Sequence, residues 1–154
     1  MSEIELEQNR IIRFAEMMPN CALATVRNGR PRVRVMSLWF AHGSGFYFHT
    51  ENHKDVAKQL RENPQVEACF YSAATVEVAR KMLRVDGRVE FLADKDGELR
   101  NRLMTERPFL DKVLREPDGS NLALFKITDA MARLWELDPD GAEIVSPPVR
   151  FGDV

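Results

Sequence analysis

The sequence predicts a mainly β fold: a small antiparallel barrel of about six strands with helices set between and around them. Three observations carry this. Asn28-Gly29 separates two β-rich runs, the strongest short hairpin signal, because both central turn residues tolerate positive φ. Leu83 to Phe91 alternates apolar and charged residues, the pattern of a half-exposed strand. Phe46–Thr50 and Val66–Tyr71 are further short β-rich runs, each preceded by turn residues.

At 154 residues, with 44% hydrophobic and 30% charged, the chain suits one core and a single domain over 1–154, its barrel spanning about 20–137.

In order along the chain, Ile4, Ile11, Ile12, Phe14, Ala15 and Met18 recur at helical spacing, and Pro19-Asn20 ends that helix. Ala22–Val26 and Val33–Phe40 are the hairpin strands, with Pro31 tolerated at the start of the second. His42-Gly43-Ser44-Gly45 turns the chain into a third strand, Phe46–Thr50. Lys54–Glu62 reads as a helix that stops at Asn63-Pro64, since a residue before proline avoids the α region. Val66–Tyr71 is the fourth strand and Leu83–Phe91 the fifth, with Gly87 a candidate bulge. Asp94–Arg107 and Pro108–Arg115 read as short helices, the latter opened by proline at its first position. Leu122–Trp135 is a long last strand interrupted near Asp129, and Asp138–Val154 reads as loop.

Composition narrows the function classes. A net charge of −2 provides no global basic field, and no aromatic stacking platform is evident, which argues against nucleic acid. The first residues mix acids and bases through their apolar positions, unlike a targeting peptide, and no apolar run approaches the ~20 residues of a membrane span. A cytoplasmic protein without membrane attachment is the expectation. Cys21 and Cys69 are far apart in apolar runs, so small buried hydrophobes are expected rather than a disulfide or a metal site.

The informative region is Arg30–Pro64. Arg32 and Arg34 lie two apart on a strand, so both guanidiniums emerge on one face, where a phosphate would match their paired donors. Two solvated arginines are the alternative and, on the pair alone, the better one. Asn52 and Asp55 have the spacing of a helix cap and its reciprocal partner, which puts Lys54 in the first helical turn. A cation there opposes the helix dipole by ~0.3–1 kcal/mol. The placement suits a bound anion, on which backbone N–H groups, dipole and ammonium converge. Glu51 and Asp55 are competing partners for Lys54.

The runs Arg32-Val33-Arg34-Val35-Met36-Ser37, Tyr47-Phe48-His49-Thr50, His53-Lys54-Asp55-Val56-Ala57-Lys58-Gln59-Leu60 and Asn63-Pro64-Gln65-Val66 resemble, in order and spacing, the core of the pyridoxamine 5'-phosphate oxidase-like flavoproteins. Leu83–Val89 resembles the family's next strand, and the likeness is nearest to the general-stress and nitroimidazole-resistance type members. The resemblance implies a six-stranded split barrel that forms a homodimer with FMN at the subunit interface. By position it implies that Arg34 meets the phosphate, with Arg32 a second candidate, and that Val35, Met36 and Ser37 line the isoalloxazine edge. Thr50 and Lys54 would hold the phosphate from the other side, with His49 and His53 beside the cofactor. Trp135 could pack over a partner's flavin, although core or interface packing is the commoner use of tryptophan.

Departures from the pattern bear on the substrate. The pyridoxamine phosphate oxidases carry a basic cluster at this helix start and a C-terminal Arg-and-His segment; here Lys54 is followed by Asp55 and Val56, and Trp135 by Glu136-Leu137-Asp138-Pro139. The resemblance therefore implies a flavin-dependent oxidoreductase acting on some other small molecule, with NAD(P)H as a possible electron donor. A non-catalytic flavin-binding or stress protein is the rival, and a barrel of this fold using haem or a deazaflavin the third reading.

Overall fold

The computed structural model describes residues 1–73 and 79–153. One antiparallel sheet organises them, in the order β2 (Arg30–Ser37), β1 (Asn20–Arg27), β5 (Gln65–Ser72), β6 (Arg80–Phe91), β7 (Leu122–Leu137), β4 (Gly45–Glu51) and β3 (Phe40–His42), with β8 (Glu143–Val145) and β9 (Val149–Phe151) added along β7. The predicted hairpin is β1 (Asn20–Arg27) and β2 (Arg30–Ser37), in register from Asn20↔Ser37 to Arg27↔Arg30. Asn28 and Gly29 both take positive φ, as the turn requires.

The second strand does not continue to Phe40 as its composition suggests. After Ser37 the Leu38 N–H bonds Pro19 O and the Trp39 N–H bonds Tyr47 O, which carries the chain from one edge of the sheet to the other. There it resumes as β3 (Phe40–His42), paired with β4 (Gly45–Glu51). This crossing rolls the sheet into a split barrel. Helix α2 (Asp55–Glu62) leads to β5 (Gln65–Ser72), which pairs with both β1 and β6 (Arg80–Phe91).

The expected interruptions of the long strands fall opposite each other. Between Asp86↔Met131 and Arg88↔Thr128 the register of β6 and β7 (Leu122–Leu137) shifts, with Gly87 facing Asp129-Ala130. Asp129 has φ 45°, a left-handed conformation that an Asp tolerates. The segment after Asp138 is not all loop. Glu143–Val145 (β8) and Val149–Phe151 (β9) pair with the second half of β7; three residues are too few to show an alternation, so the pattern missed them, as it missed β3. Val154 lies outside the described residues. The strands described thus number nine rather than six, while the class is as expected.

Phe46, Phe70, Leu83, Phe125 and Ile127 fill the barrel, closed at one end by Phe151 from β9. Helix α1 (Glu3–Met17), started by a Ser2–Glu5 capping box, buries only Ile11 and Ala15 fully against it. A second cluster lies outside the barrel wall, where α3 (Glu98–Glu106) and α4 (Leu110–Val113) bring Leu103 and Leu110 onto Trp39 and Leu124. No helix among the described residues is long and apolar enough to cross a membrane.

Candidate functional site

Strand β2 presents Arg32, Arg34 and Met36 on one face and Val33 and Val35 on the other. The two arginines have different fates. Arg32 is exposed, its Nη1 donating to the carbonyl of Pro31 at 3.3 Å. Arg34 is half-buried opposite Leu23 of β1, and its guanidinium donates to Leu23 O (3.2 Å), Thr25 Oγ1 (2.8 Å) and Gln59 Oε1 (2.5 Å). Thr25 also donates to Gln59 at 2.7 Å, so a buried polar knot fixes the arginine. Of the five N–H groups on a guanidinium, these three bonds leave two uncommitted among the described residues. Burial lowers the Arg34 pKa, and Asp55 at the start of α2 is the charge that favours its ionised form. Arg34 and the α2 N-terminus therefore stand side by side.

The cap of that helix differs from the sequence expectation. Lys54 is the N-cap, not a first-turn residue, and no side chain caps the helix. Asn52 is turned away, donating to Asn121 O and Leu122 O and accepting from Arg61. The cause is a tight turn, Lys54 N–H to Glu51 O at 3.1 Å, which delays the helix start past the reach of the Asn52 side chain. The N–H groups of Asp55, Val56 and Ala57 have no intrahelical partner by geometry, and Val56 and Ala57 are buried. Backbone donors at this helix start, where Lys54 and Asp55 are exposed and Val56 and Ala57 buried, stand beside Arg34 and the Lys54 ammonium, a donor set of the kind that suits an anion.

Glu51 and His53 form the rim. Burial opposes ionisation of Glu51, yet the Arg115 N–H at 2.9 Å, the Asn121 amide, His53 and Lys54 together hold its carboxyl below the usual range. Its Oε1 is 3.9 Å from Lys54 Nζ, so part of that cation's charge is answered within the chain. Asn121 donates to His53 Nδ1 at 2.7 Å.

Thr50 and His49 are neighbours on β4 but point to opposite sides of the wall. Thr50 follows Phe46 and Phe48 toward the barrel and is buried. His49 points outward under α3, where Arg107 Nη1 lies 3.0 Å from its Nε2 and Arg107 Nη2 donates to Leu38 O at 2.7 Å. Burial, then the charges of Arg107 and Lys54, push the His49 pKa down to about 4 against a small opposing effect of Glu51. His49 is a neutral imidazole with Nε2 as acceptor. Arg107 thereby ties His49 to the segment that follows Ser37. Its place at a helix end before Pro108 gave no periodic or motif signal by which to find it.

Val35 and Ser37 are exposed and Met36 half-buried, in the order in which β2 presents them. Trp135 stands apart from the other candidates. It pairs with Met82 and Val145, and its Nε1 donates to Glu143. The Thr50↔Ala123 pairing is twelve residues earlier on β7, up to ~40 Å along a strand. Within one chain these residues do not meet. Among the described residues no group of His, Cys, Asp and Glu is arranged to hold a metal ion; buried Cys21 has its thiol pushed up to about 12 by burial and Cys69.

Residues 10–141 match the family model described as pyridoxamine 5'-phosphate oxidase. A pyridoxine/pyridoxamine 5'-phosphate oxidase of Anaeromyxobacter dehalogenans is 30% identical over 134 residues, 85% of this chain and 64% of that protein. The chain spans 35% to 64% of the length of the curated relatives it matches. In fold it is similar to a NimC/NimA family protein of Clostridium acetobutylicum (TM-score 0.67, 22% identity, 90% of each chain). It is likewise similar to a FAD-binding protein of Mesorhizobium loti (TM-score 0.65, 19% identity, 90% of this chain and 96% of that one).

Proposed function

The chain belongs to the pyridoxamine 5'-phosphate oxidase family, and from that premise we propose that it is a flavin-binding oxidoreductase that holds FMN and acts on a small molecule. The carrying observation is the start of α2, without a side-chain cap, beside Arg34 and Lys54. The donor set there fits a phosphate monoester: backbone N–H groups at a helix start, two uncommitted guanidinium N–H groups and an ammonium. The FAD-binding description of the Mesorhizobium loti neighbour supports a flavin as the group attached to that phosphate.

A bound flavin supplies the redox chemistry. In this reading Arg34 and Lys54 hold the phosphate, and Thr25 and Gln59 hold Arg34 in place before the ligand arrives. Arg32 adds positive charge at the rim. Val35, Met36 and Ser37 offer the edge of β2 to the ring, and Thr50 closes the phosphate side. His49, neutral and fixed by Arg107, acts as an uncharged boundary rather than a proton shuttle.

A second copy completes the site in this reading. Val33 and Val35 stand 69% and 72% exposed on the edge strand β2, an apolar pair suited to a partner's surface. Trp135 and His53 are then candidates to meet the flavin of the other protomer, since Trp135 is remote from the phosphate side of its own chain. Asp55 and Val56 stand where the oxidases carry basic residues, so the proposed substrate is a small molecule other than pyridoxamine phosphate, with NAD(P)H as electron donor.

The test begins with the absorbance and mass of whatever ligand copurifies, which separates flavin from haem and deazaflavin. FMN is then titrated by calorimetry into wild type and an Arg34→Ala/Lys54→Ala variant. Loss of two charge-assisted contacts should weaken FMN by on the order of 100-fold while riboflavin, lacking the phosphate, changes little. A folded wild type that ignores FMN overturns the proposal. Sustained NAD(P)H oxidation with an electron acceptor separates an enzyme from a flavin-holding protein.

A further inference from the structure

A cavity of about 270 Å³ lies between α2, the start of α3 and the turn before β7. Arg61 and Arg100 line it, and neither guanidinium has a carboxylate within 4.0 Å among the described residues. Arg61 is oriented in advance: its Cζ sits 4.3 Å above the Phe91 ring, and its Nη2 donates to Asn52 Oδ1. The amide of Asn52 is itself fixed by its bonds to Asn121 O and Leu122 O. Arg100 runs between two glycines of positive φ. A Cβ at Gly97 would fall 2.9 Å from its Nη2 and one at Gly119 3.1 Å from its Cδ.

The acids nearby are engaged elsewhere. Both oxygens of Asp94 accept backbone N–H groups, of Leu99 and Arg100 at 3.0 Å each, as the cap of α3. Asp118, near enough to Arg100 to feel its charge, accepts the Ser120 N–H at 2.9 Å. The residues lining the cavity therefore include two arginines against one carboxylate, Asp94, committed to the backbone. Gln59 and Arg61 are two residues apart on α2, about 200° around the helix, so this cavity and the Arg34 knot lie on different faces of it.

We propose that this cavity is a second anion site, distinct from the one at the α2 N-terminus, and that it takes a small phosphate monoester. Guanidinium forks match phosphate oxygens in pairs. The volume, just below the ~300–1,000 Å³ of drug-sized pockets, suits a compact ligand rather than a dinucleotide. The site is independent of whether the chain binds flavin.

Calorimetric titration with inorganic phosphate and with phenyl phosphate, at constant ionic strength, tests it on four folded proteins: wild type, Arg34→Ala, Arg61→Gln/Arg100→Gln and Ser120→Glu. Arg34→Ala, which weakens the site at the α2 N-terminus, should keep the phosphate binding of the cavity, with the ¹⁵Nε resonances of Arg61 and Arg100 moving as in wild type. The Arg61→Gln/Arg100→Gln variant should lose at least ten-fold in affinity at the cavity while the site at the α2 N-terminus is kept, and Ser120→Glu should weaken binding at the cavity by placing a negative charge at its rim. Should the double variant fail to fold, the exposed Ser120→Glu change and the ¹⁵Nε resonances of Arg61 and Arg100 in wild type still read the site. Absence of binding by wild type, binding abolished by Arg34→Ala, or resonances of Arg61 and Arg100 that do not move with phosphate would each overturn the proposal.

Discussion

Arg107 Nη1 donates to Nε2 of His49 across 3.0 Å, so that burial first and then this cation, which repels the protonated form, keep the imidazole neutral. With the folded pKa at about 4 and an ordinary value near 6.5, the unfolded chain binds the extra proton first. Stability from this group is therefore complete above about pH 6.5 and is lost as pH falls toward 4, by on the order of 3 kcal/mol at most. Urea unfolding of wild type and His49→Gln at pH 7.5 and 4.5 checks it: the pH dependence of wild type should be visibly steeper. Equal dependence in both proteins would mean that other groups govern acid stability. In Arg107→Met the His49 pKa, followed by NMR, should rise yet stay below 6.5, because burial is the larger cause.

Gln59 accepts from both Thr25 and Arg34, and all three are oriented by that one amide oxygen. Gln59→Leu is near in size but strands the Thr25 hydroxyl and one guanidinium N–H in a largely buried place. It should lower stability by about 1–3 kcal/mol, and it should weaken FMN binding because Arg34 is no longer held. A stable variant that binds FMN as wild type does would show that Arg34 is positioned by its strand alone.

Much of the fold was legible because each long element carries its own signal. Asn28-Gly29 demands a hairpin turn, and the alternation of Leu83–Phe91 survives in β6 even around Gly87. What could not be read depended on distant partners. Nothing local ends β2 at Ser37: Pro19 O, from the link between α1 and β1, and Tyr47 O, from β4, capture the next N–H groups. The candidate site divided in the same way. Arg34 and Lys54 were legible as residues suited to an anion, whereas Arg107, Gln59 and Thr25 acquire their roles only when the chain folds. Period-two alternation also separates His49 from Thr50, which a positional resemblance sets together.

Val33 and Val35 lie on the exposed face of an edge strand, each most of its surface in solvent. If a second copy covers them, Val33→Lys/Val35→Lys should turn a dimer into a monomer in sedimentation velocity, with the fold retained. Sheet edges tolerate lysine, which natural proteins use there against pairing. A wild type that sediments as a monomer at micromolar concentration would remove the two-chain site.

Gly87 sits where β6 faces two residues of β7, Asp129 and Ala130, instead of one. A Cβ on it would lie 2.7 Å from Thr128 O and 2.9 Å from the Ala130 Cβ, and both obstacles are backbone or bound tightly to it. Gly87→Ala must therefore push the two longest strands apart at their bulge, at a cost of about 1–3 kcal/mol, with Gly87→Val worse. The neighbouring pair Arg88–Asp129, at 2.7 Å, gives a local reporter. If the bulge is the joint at which β7 passes from its pairing with β4 to its pairing with β9, the strain should loosen the β9 end too. Hydrogen exchange in Gly87→Ala should then rise at Ala130 and Ala132 while the hairpin of β1 and β2 stays protected. An unchanged urea midpoint and exchange pattern would mean that β7 yields at Thr128 without cost, and that the bulge is not what holds the two halves of the strand in place.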